Sequence, residues 1–268
     1  MFTLEEIQEK WAEPAPINAA MWDSQSTRPN YNTVPDISSN AFLTRLQQRG
    51  WLHEEAEILD VGCGAGAYSM ACAPLVKRSV GTDLSEKMIA AGRTMLEQHE
   101  ISNVELRCEN WHEVDLDERG WRNNFDLAFA RNTPALSSSK ALEKLLAASK
   151  SHYAMSSPTS MRDSLVDDLH DALGIQNSKP SHGSILLALN ELLLRGYKPE
   201  LEYEDAEWVN DQTVDVAVEF YSGRLGLDHK QREQREPAIR AFMEKRAVDG
   251  KVRSITTTTM VQIFWSRK

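Results

Sequence analysis

Three cysteines in 268 residues are too few for a disulfide framework, and Cys63, Cys72 and Cys108 form no C-x-x-C pair of the kind that holds zinc. No metal is expected. Long apolar runs are also missing. The longest, Ile185 to Leu194, is broken by Asn190 and Glu191 and falls short of the ~20 residues a membrane helix needs. Met1 to Lys10 carries Glu5, Glu6 and Glu9 where an export signal has basic residues followed by an apolar stretch. With the unpaired cysteines, this predicts a cytoplasmic protein with no membrane partner. Positive charge is scarce as well. The formal net charge is -10, and the densest basic run, Lys230 to Arg240, interleaves Glu233 and Glu236 in the manner of a solvated helix face. A polyanionic nucleic acid is met by clustered Lys and Arg, so the balance disfavours one as partner.

What is present is the composition of an ordinary globular chain, 41% hydrophobic and 26% charged, without repeats or low-complexity tracts. Thr3-Leu4-Glu5-Glu6 has the spacing of a capping box and predicts a short helix to about Trp11. Pro14, Pro16, Pro29 and Pro35 break the segment from Glu13 to Pro35 into loop. A helix from about Ser39 to Arg49 follows, with Gly50 as its left-handed stop. The pattern then alternates. Strands are expected at Glu57–Val61, Ser79–Thr82, Val104–Cys108, Phe125–Ala130 and Tyr153–Ser156, separated by helices, the rhythm of a parallel sheet covered on both faces. Beyond Pro158, Met161–Leu173, Ser184–Arg195, Val214–Leu225 and Arg232–Arg246 read as helices, and Glu200–Trp208 and Ile255–Trp265 as strands.

Gly62, Gly64 and Gly66 sit at the turn from an apolar strand into a helix, where absent side chains let the backbone approach a ligand. The same residues satisfy the G-x-G-x-x-A variant of the dinucleotide fingerprint, so an NAD(P)-dependent oxidoreductase is one reading. Asp60 argues for another. A carboxylate beside this turn repels a pyrophosphate, whereas it attracts a ligand bearing an ammonium and a sulfonium. Asp83 follows at the end of the next strand, about 20 positions on, where doubly wound sites place an acid on ribose hydroxyls.

The run Glu57 to Gly66, EILDVGCGAG, closely resembles motif I of the class I S-adenosylmethionine-dependent methyltransferases, and VGTDLSEKMI around Asp83 resembles the segment that follows it. The resemblance implies an α/β, doubly wound, mostly parallel seven-stranded sheet with an antiparallel last strand, carrying S-adenosylmethionine. It places Asp60, Gly62, Cys63, Gly64, Gly66, Asp83, Leu84 and Met88 around the cofactor, with Leu84 against adenine. At the end of the third strand, where the family has an acid on the adenine amino group, this chain has Asn110 followed by Trp111, with Glu109 one residue out of register. Arg131 and Asn132, ending the fourth strand, face the methionine half and the acceptor. NTPA at 132–135 resembles the NPPY motif of amino-methyltransferases acting on DNA or protein glutamine, without its second proline and aromatic residue.

Residues 1–55 are read as a helical lid segment ahead of a methyltransferase domain at 56–268, with a helical insertion at about 210–250. In relatives that methylate small molecules such additions form the lid and acceptor pocket, so a small-molecule acceptor is expected, bound by a monomer or homodimer. Trp22 and Tyr31 are candidates to close over the cofactor, and His152 and Tyr153 are candidate bases.

Overall fold

The computed structural model describes residues 2–12, 19–23, 25–26, 31–175, 184–225 and 229–267; Pro14, Pro16 and Pro29 lie outside them. The elements follow in the order α1 (Leu4–Lys10), α2 (Ala19–Asp23), α3 (Ala41–Gln48), β1 (Glu57–Val61), α4 (Ala67–Cys72), β2 (Arg78–Asp83), α5 (Glu86–Gln98), β3 (Val104–Cys108), β4 (Phe125–Arg131), α6 (Ser139–Ala148), β5 (Ser149–Asp163), α7 (Ser164–Leu173), α8 (Ser184–Leu194), β6 (Glu200–Thr213), α9 (Val214–Arg224), α10 (His229–Arg246) and β7 (Lys251–Ser266). The strands form one sheet ordered β3-β2-β1-β4-β5-β7-β6. The ladders from β3 to β5 are parallel, and one strand of the sheet runs antiparallel. No helix among the described residues is long and apolar enough to cross a membrane.

The expected doubly covered sheet is visible in side chains that alternate between faces. Ile58, Leu127, Phe129, Ala154 and Phe264 pack with Phe42, Leu43 and Leu46 of α3 on one face. Their neighbours Leu59, Ala128, Ala130, Tyr153, Met155, Ile263 and Trp265 pack with Leu142 and Leu145 of α6 and Ala188 and Leu192 of α8 on the other. The direction of the strand order reverses between β1 and β4. Their carboxyl ends therefore splay apart around a crevice, the place where doubly wound sheets bind ligands.

The caps are local and agree with the sequence. Thr3 and Glu6 form the capping box, Ser85 caps α5 through Met88 N, and Gly50 takes the left-handed conformation after α3. Strand lengths differ from expectation. β5 starts at Ser149 rather than Tyr153, directly after α6, with the Ser149 hydroxyl donating to Phe125 O at 3.0 Å. Its Ser and Thr residues and Pro158 have a loop's composition, and pairing with β4 holds Ser149 to Ser156 as a strand. β6 runs on to Thr213, and α7 begins at Ser164, three residues later than the apolar pattern suggests, because Asp163 caps it by accepting from Leu165 N at 3.0 Å.

The chain forms two compact units. The first comprises Met1–Ser157, Gly183–Glu202 and Val261–Lys268; the second comprises Pro158–His182 and Tyr203–Met260. The second has its own core of Leu165, Leu169, Ala217, Val218, Tyr221, Ile239, Met243 and Val252. Buried Asp163 accepts from Tyr221 Oη at 3.0 Å, and its charge and the loss of solvent together push the phenol pKa up.

Candidate cofactor site

The site belongs to the first unit and is built on the turn between β1 and α4. Gly62, Gly64 and Gly66 all have positive φ, which explains glycine at each. Gly62 N and Cys63 N donate to Thr82 O at 2.7 and 2.9 Å, locking the turn to the tip of β2. Asp83 completes the lock. One of its oxygens accepts from Gly64 N and the other from Ser85 N, both at 2.9 Å. Burial raises its pKa, opposed by those backbone bonds and reinforced by the charge of Asp23.

Asp60 is buried at the end of β1, with Ser69 Oγ donating to it at 3.0 Å. Burial pushes its pKa up to about 7, with Asp83 adding to the rise and Arg131 opposing it. Burial likewise raises the Cys63 thiol well above its ordinary value, so this position offers no thiolate. Arg131, at the tip of β4, holds its guanidinium carbon 4.4 Å above the Tyr68 ring, and Tyr68 Oη accepts from Asn40 Nδ2 at 2.9 Å. Asn132 is exposed at φ 49°, its N–H bonded to Ser156 O at 2.7 Å.

A narrow cleft runs from this turn between the tips of β2, β3 and β4, lined by Gly62, Asp83, Leu84, Asn110, Trp111 and Thr133, with Glu109, His112 and Ala135 beside them. Of the residues expected around the cofactor, Gly62, Asp83, Leu84, Asn110 and Trp111 line it. Glu109 is tied to Arg119 at 2.7 Å. Asn110 Oδ1 accepts from His112 N at 3.2 Å. Trp111 is 2% exposed and donates from Nε1 to Ala141 O at 3.1 Å, so it is core on one side and cleft wall on the other. Lys144 fixes the whole segment by donating to the carbonyls of Trp111, His112 and Val114 at 2.8, 3.1 and 2.7 Å. Met88 is buried below the cleft with Ala65 and Met70.

His152 and Tyr153 lie elsewhere. The tips of β4 and β5 pair at Arg131 and Ser156, whereas His152 pairs with Leu127 and Tyr153 with Ala128, toward the opposite end of the sheet. His152 stacks on Trp51 at 4.6 Å and its Nδ1 lies 3.0 Å from Ser266 Oγ. Tyr153 is fully buried, stacks on Trp265, and places Oη 2.9 Å from Leu146 O. Both lie in the amino half of β5, which runs parallel to β4, so the structure does not bring them to the crevice at the carboxyl ends of the strands.

Two groups were not anticipated. Asp23, at the end of α2, accepts from Ser85 Oγ at 2.6 Å, bringing a second carboxylate beside Asp83. Neither periodicity nor a motif marks it; Trp22, its half-buried neighbour, was named on aromatic character alone. Tyr31 does reach the turn, since a β-carbon on Gly64 would stand 3.6 Å from Tyr31 Cδ1. His112, only two residues beyond Asn110, is the other, and the loop position was its only signal.

A family model described as a methyltransferase domain matches residues 52–182. A Haemophilus influenzae protein described as uncharacterized is 21% identical over 257 residues, covering 91% of this chain and 88% of that one. Mouse tRNA (uracil-5-)-methyltransferase homolog A is 35% identical over 71 residues, 26% of this chain and only 12% of the mouse protein. Among solved structures, a Bacillus halodurans C-125 protein assigned as a methyltransferase shares the fold with TM-score 0.51 at 16% identity, covering 84% of this chain and 99% of that one. Residues 52–182 thus match a methyltransferase domain. The residues present fit S-adenosylmethionine, with a glycine turn for close approach, buried carboxylates for a ligand bearing ammonium and sulfonium charges, and a cleft walled by Leu84 and Trp111.

Proposed function

We propose that this methyltransferase acts on a small-molecule acceptor, with Asp60, Gly62, Gly64, Asp83, Leu84, Asn110 and Trp111 holding S-adenosylmethionine and Arg131 and Asn132 facing the acceptor. The observation that carries the acceptor class is the charge around the turn. Asp23, Asp60 and Asp83 gather there, near enough for Asp83 to raise the pKa of Asp60 and Asp23 that of Asp83, and Arg131 is the opposing charge that reaches Asp60. Such surroundings attract a cationic cofactor and repel a phosphate backbone. Bound there, S-adenosylmethionine supplies an already activated methyl group. The protein's task is then to align the acceptor at ~3 to 3.5 Å for in-line displacement. Asp83 fixes the turn, Arg131 is held in place over Tyr68, and Asp23 of α2 and Tyr31 both reach the site.

Incubation with methyl-labelled S-adenosylmethionine and either a pool of small metabolites or total RNA separates the acceptor classes. Label is expected in a small product, and label confined to RNA, the class that the mouse protein's name suggests, would sink the proposal.

Asp60 gives the site a pH dependence. With its pKa raised to about 7, the carboxyl is mostly protonated below that pH and becomes the charge that meets a cationic ligand above it. Affinity for S-adenosylmethionine is expected to rise as pH increases through about 7, and Asp60→Asn to remove that rise. Titration calorimetry across the range checks it; an identical pH profile in the variant would refute the role.

A further inference from the structure

Resting on the cofactor reading above, we infer that His112 recognises the exocyclic amine of the adenine, accepting its N–H at Nε2 in the place where an acid is expected. The other acceptors along the cleft are already engaged. Asn110, the residue matched to the family's acid, spends its Oδ1 on His112 N at 3.2 Å. Glu109, the register alternative, is held by Arg119 and has its backbone N–H on Asp83 O at 2.8 Å. Asp83 holds Gly64 and Ser85. His112 lines the same cleft, and its Nε2 is shielded from solvent without a hydrogen-bond partner.

The chemistry of that nitrogen follows from the other one. The Pro134 carbonyl, just beyond β4, acts on the ring as a backbone acceptor; with Nε2 unpartnered, the side of the ring that meets it is Nδ1. A neutral imidazole protonated at Nδ1 presents a lone pair at Nε2. Burial, then the charge of Lys144 on α6, lowers the ring's pKa, opposed by Glu113; these keep the imidazole neutral. A buried acceptor left unpaired costs free energy, so the cleft favours a ligand that brings an N–H to it. On an adenosyl ligand whose ribose meets Asp83, the base extends toward Asn110 and His112, and its amine is the donor.

Binding of S-adenosylhomocysteine and of S-inosylhomocysteine tests this without turnover. The inosine ring carries a carbonyl where adenine has the amine, and its lone pairs oppose those of Nε2. The intact protein is expected to prefer the adenosyl ligand by about tenfold or more, the worth of one hydrogen bond made or left unmade. His112→Phe is expected to lose that preference, to within about threefold, chiefly by weakening adenosyl binding. His112→Gln, whose amide oxygen also accepts, is expected to keep most of it, which guards against a variant that merely misfolds. Retained discrimination in His112→Phe, or equal loss in both variants, overturns the inference. Absence of adenosyl binding by the unaltered protein would instead overturn the cofactor reading beneath it.

Discussion

Replacing Asp83 by alanine is expected to weaken S-adenosylhomocysteine binding by about 100-fold or more, while leaving the far-ultraviolet circular dichroism of the protein unchanged. The size follows from what one carboxylate does at once. Its two oxygens take the Gly64 and Ser85 amides at 2.9 Å each, which sets both the turn and the start of α5, and the residue also lines the cleft. Hydrogen bonds to a charged group contribute about 1.5–3 kcal/mol each, and losing two toward a ribose accounts for the factor. The fold survives because β1, β2 and β4 keep their ladders and their apolar faces. Asp83→Asn, which keeps the shape and one accepting oxygen, is expected to fall between. Calorimetric titration decides the matter; a change below about threefold in the alanine variant would mean that the acid only caps the turn.

Gly62→Ala is expected to be the most damaging single methyl group in the site. Its φ is +70°, and the added carbon would stand 2.0 Å from Thr133 Oγ1 and 2.7 Å from Thr133 Cβ. The left-handed conformation costs about 1–2 kcal/mol for a residue with a β-carbon, and overpacking adds about 1–3 kcal/mol. Thr133 cannot simply rotate away, because the overlap includes its own Cβ, and its hydroxyl caps the next turn by accepting from Ala135 N at 3.2 Å. The melting temperature is expected to drop by about 10 °C, with cofactor binding lost as the tip of β4 shifts. Gly50→Ala is the control. Its φ is +69° with nothing within 4 Å, so it is expected to show the conformational cost alone, about 2–4 °C, with affinity intact. Similar melting temperatures for the two variants would show that the close approach to Thr133 is unimportant.

How far the site was legible in the sequence varied with the distance over which each feature is encoded. The glycine turn, Asp83 and the Ser85 cap are matters of strand-to-helix geometry within a few residues, and their spacing alone announces them. The alternation of apolar residues in β1 and β4 similarly announces a sheet buried on both faces. His152 and Tyr153 are not brought to the crevice because β5 runs parallel to β4 and they lie in its amino half, a direction that strand pairing across the sheet decides. Asp23 is the opposite case, a carboxylate in a segment without regular pattern that acquires meaning only through Ser85, far along the chain.

The sequence by itself determined that this chain folds as an alternating α/β sheet with a ligand turn after β1 and an acid after β2, since backbone conformation and side-chain periodicity are local properties. Only the tertiary structure decided which carboxylates crowd the turn, that Asn110 spends its oxygen within its own loop, and that His112, beside the cleft, is left with a buried and unpartnered Nε2. Those depend on which distant segments meet, and contact across the fold is fixed by strand register and packing rather than by any spacing along the chain.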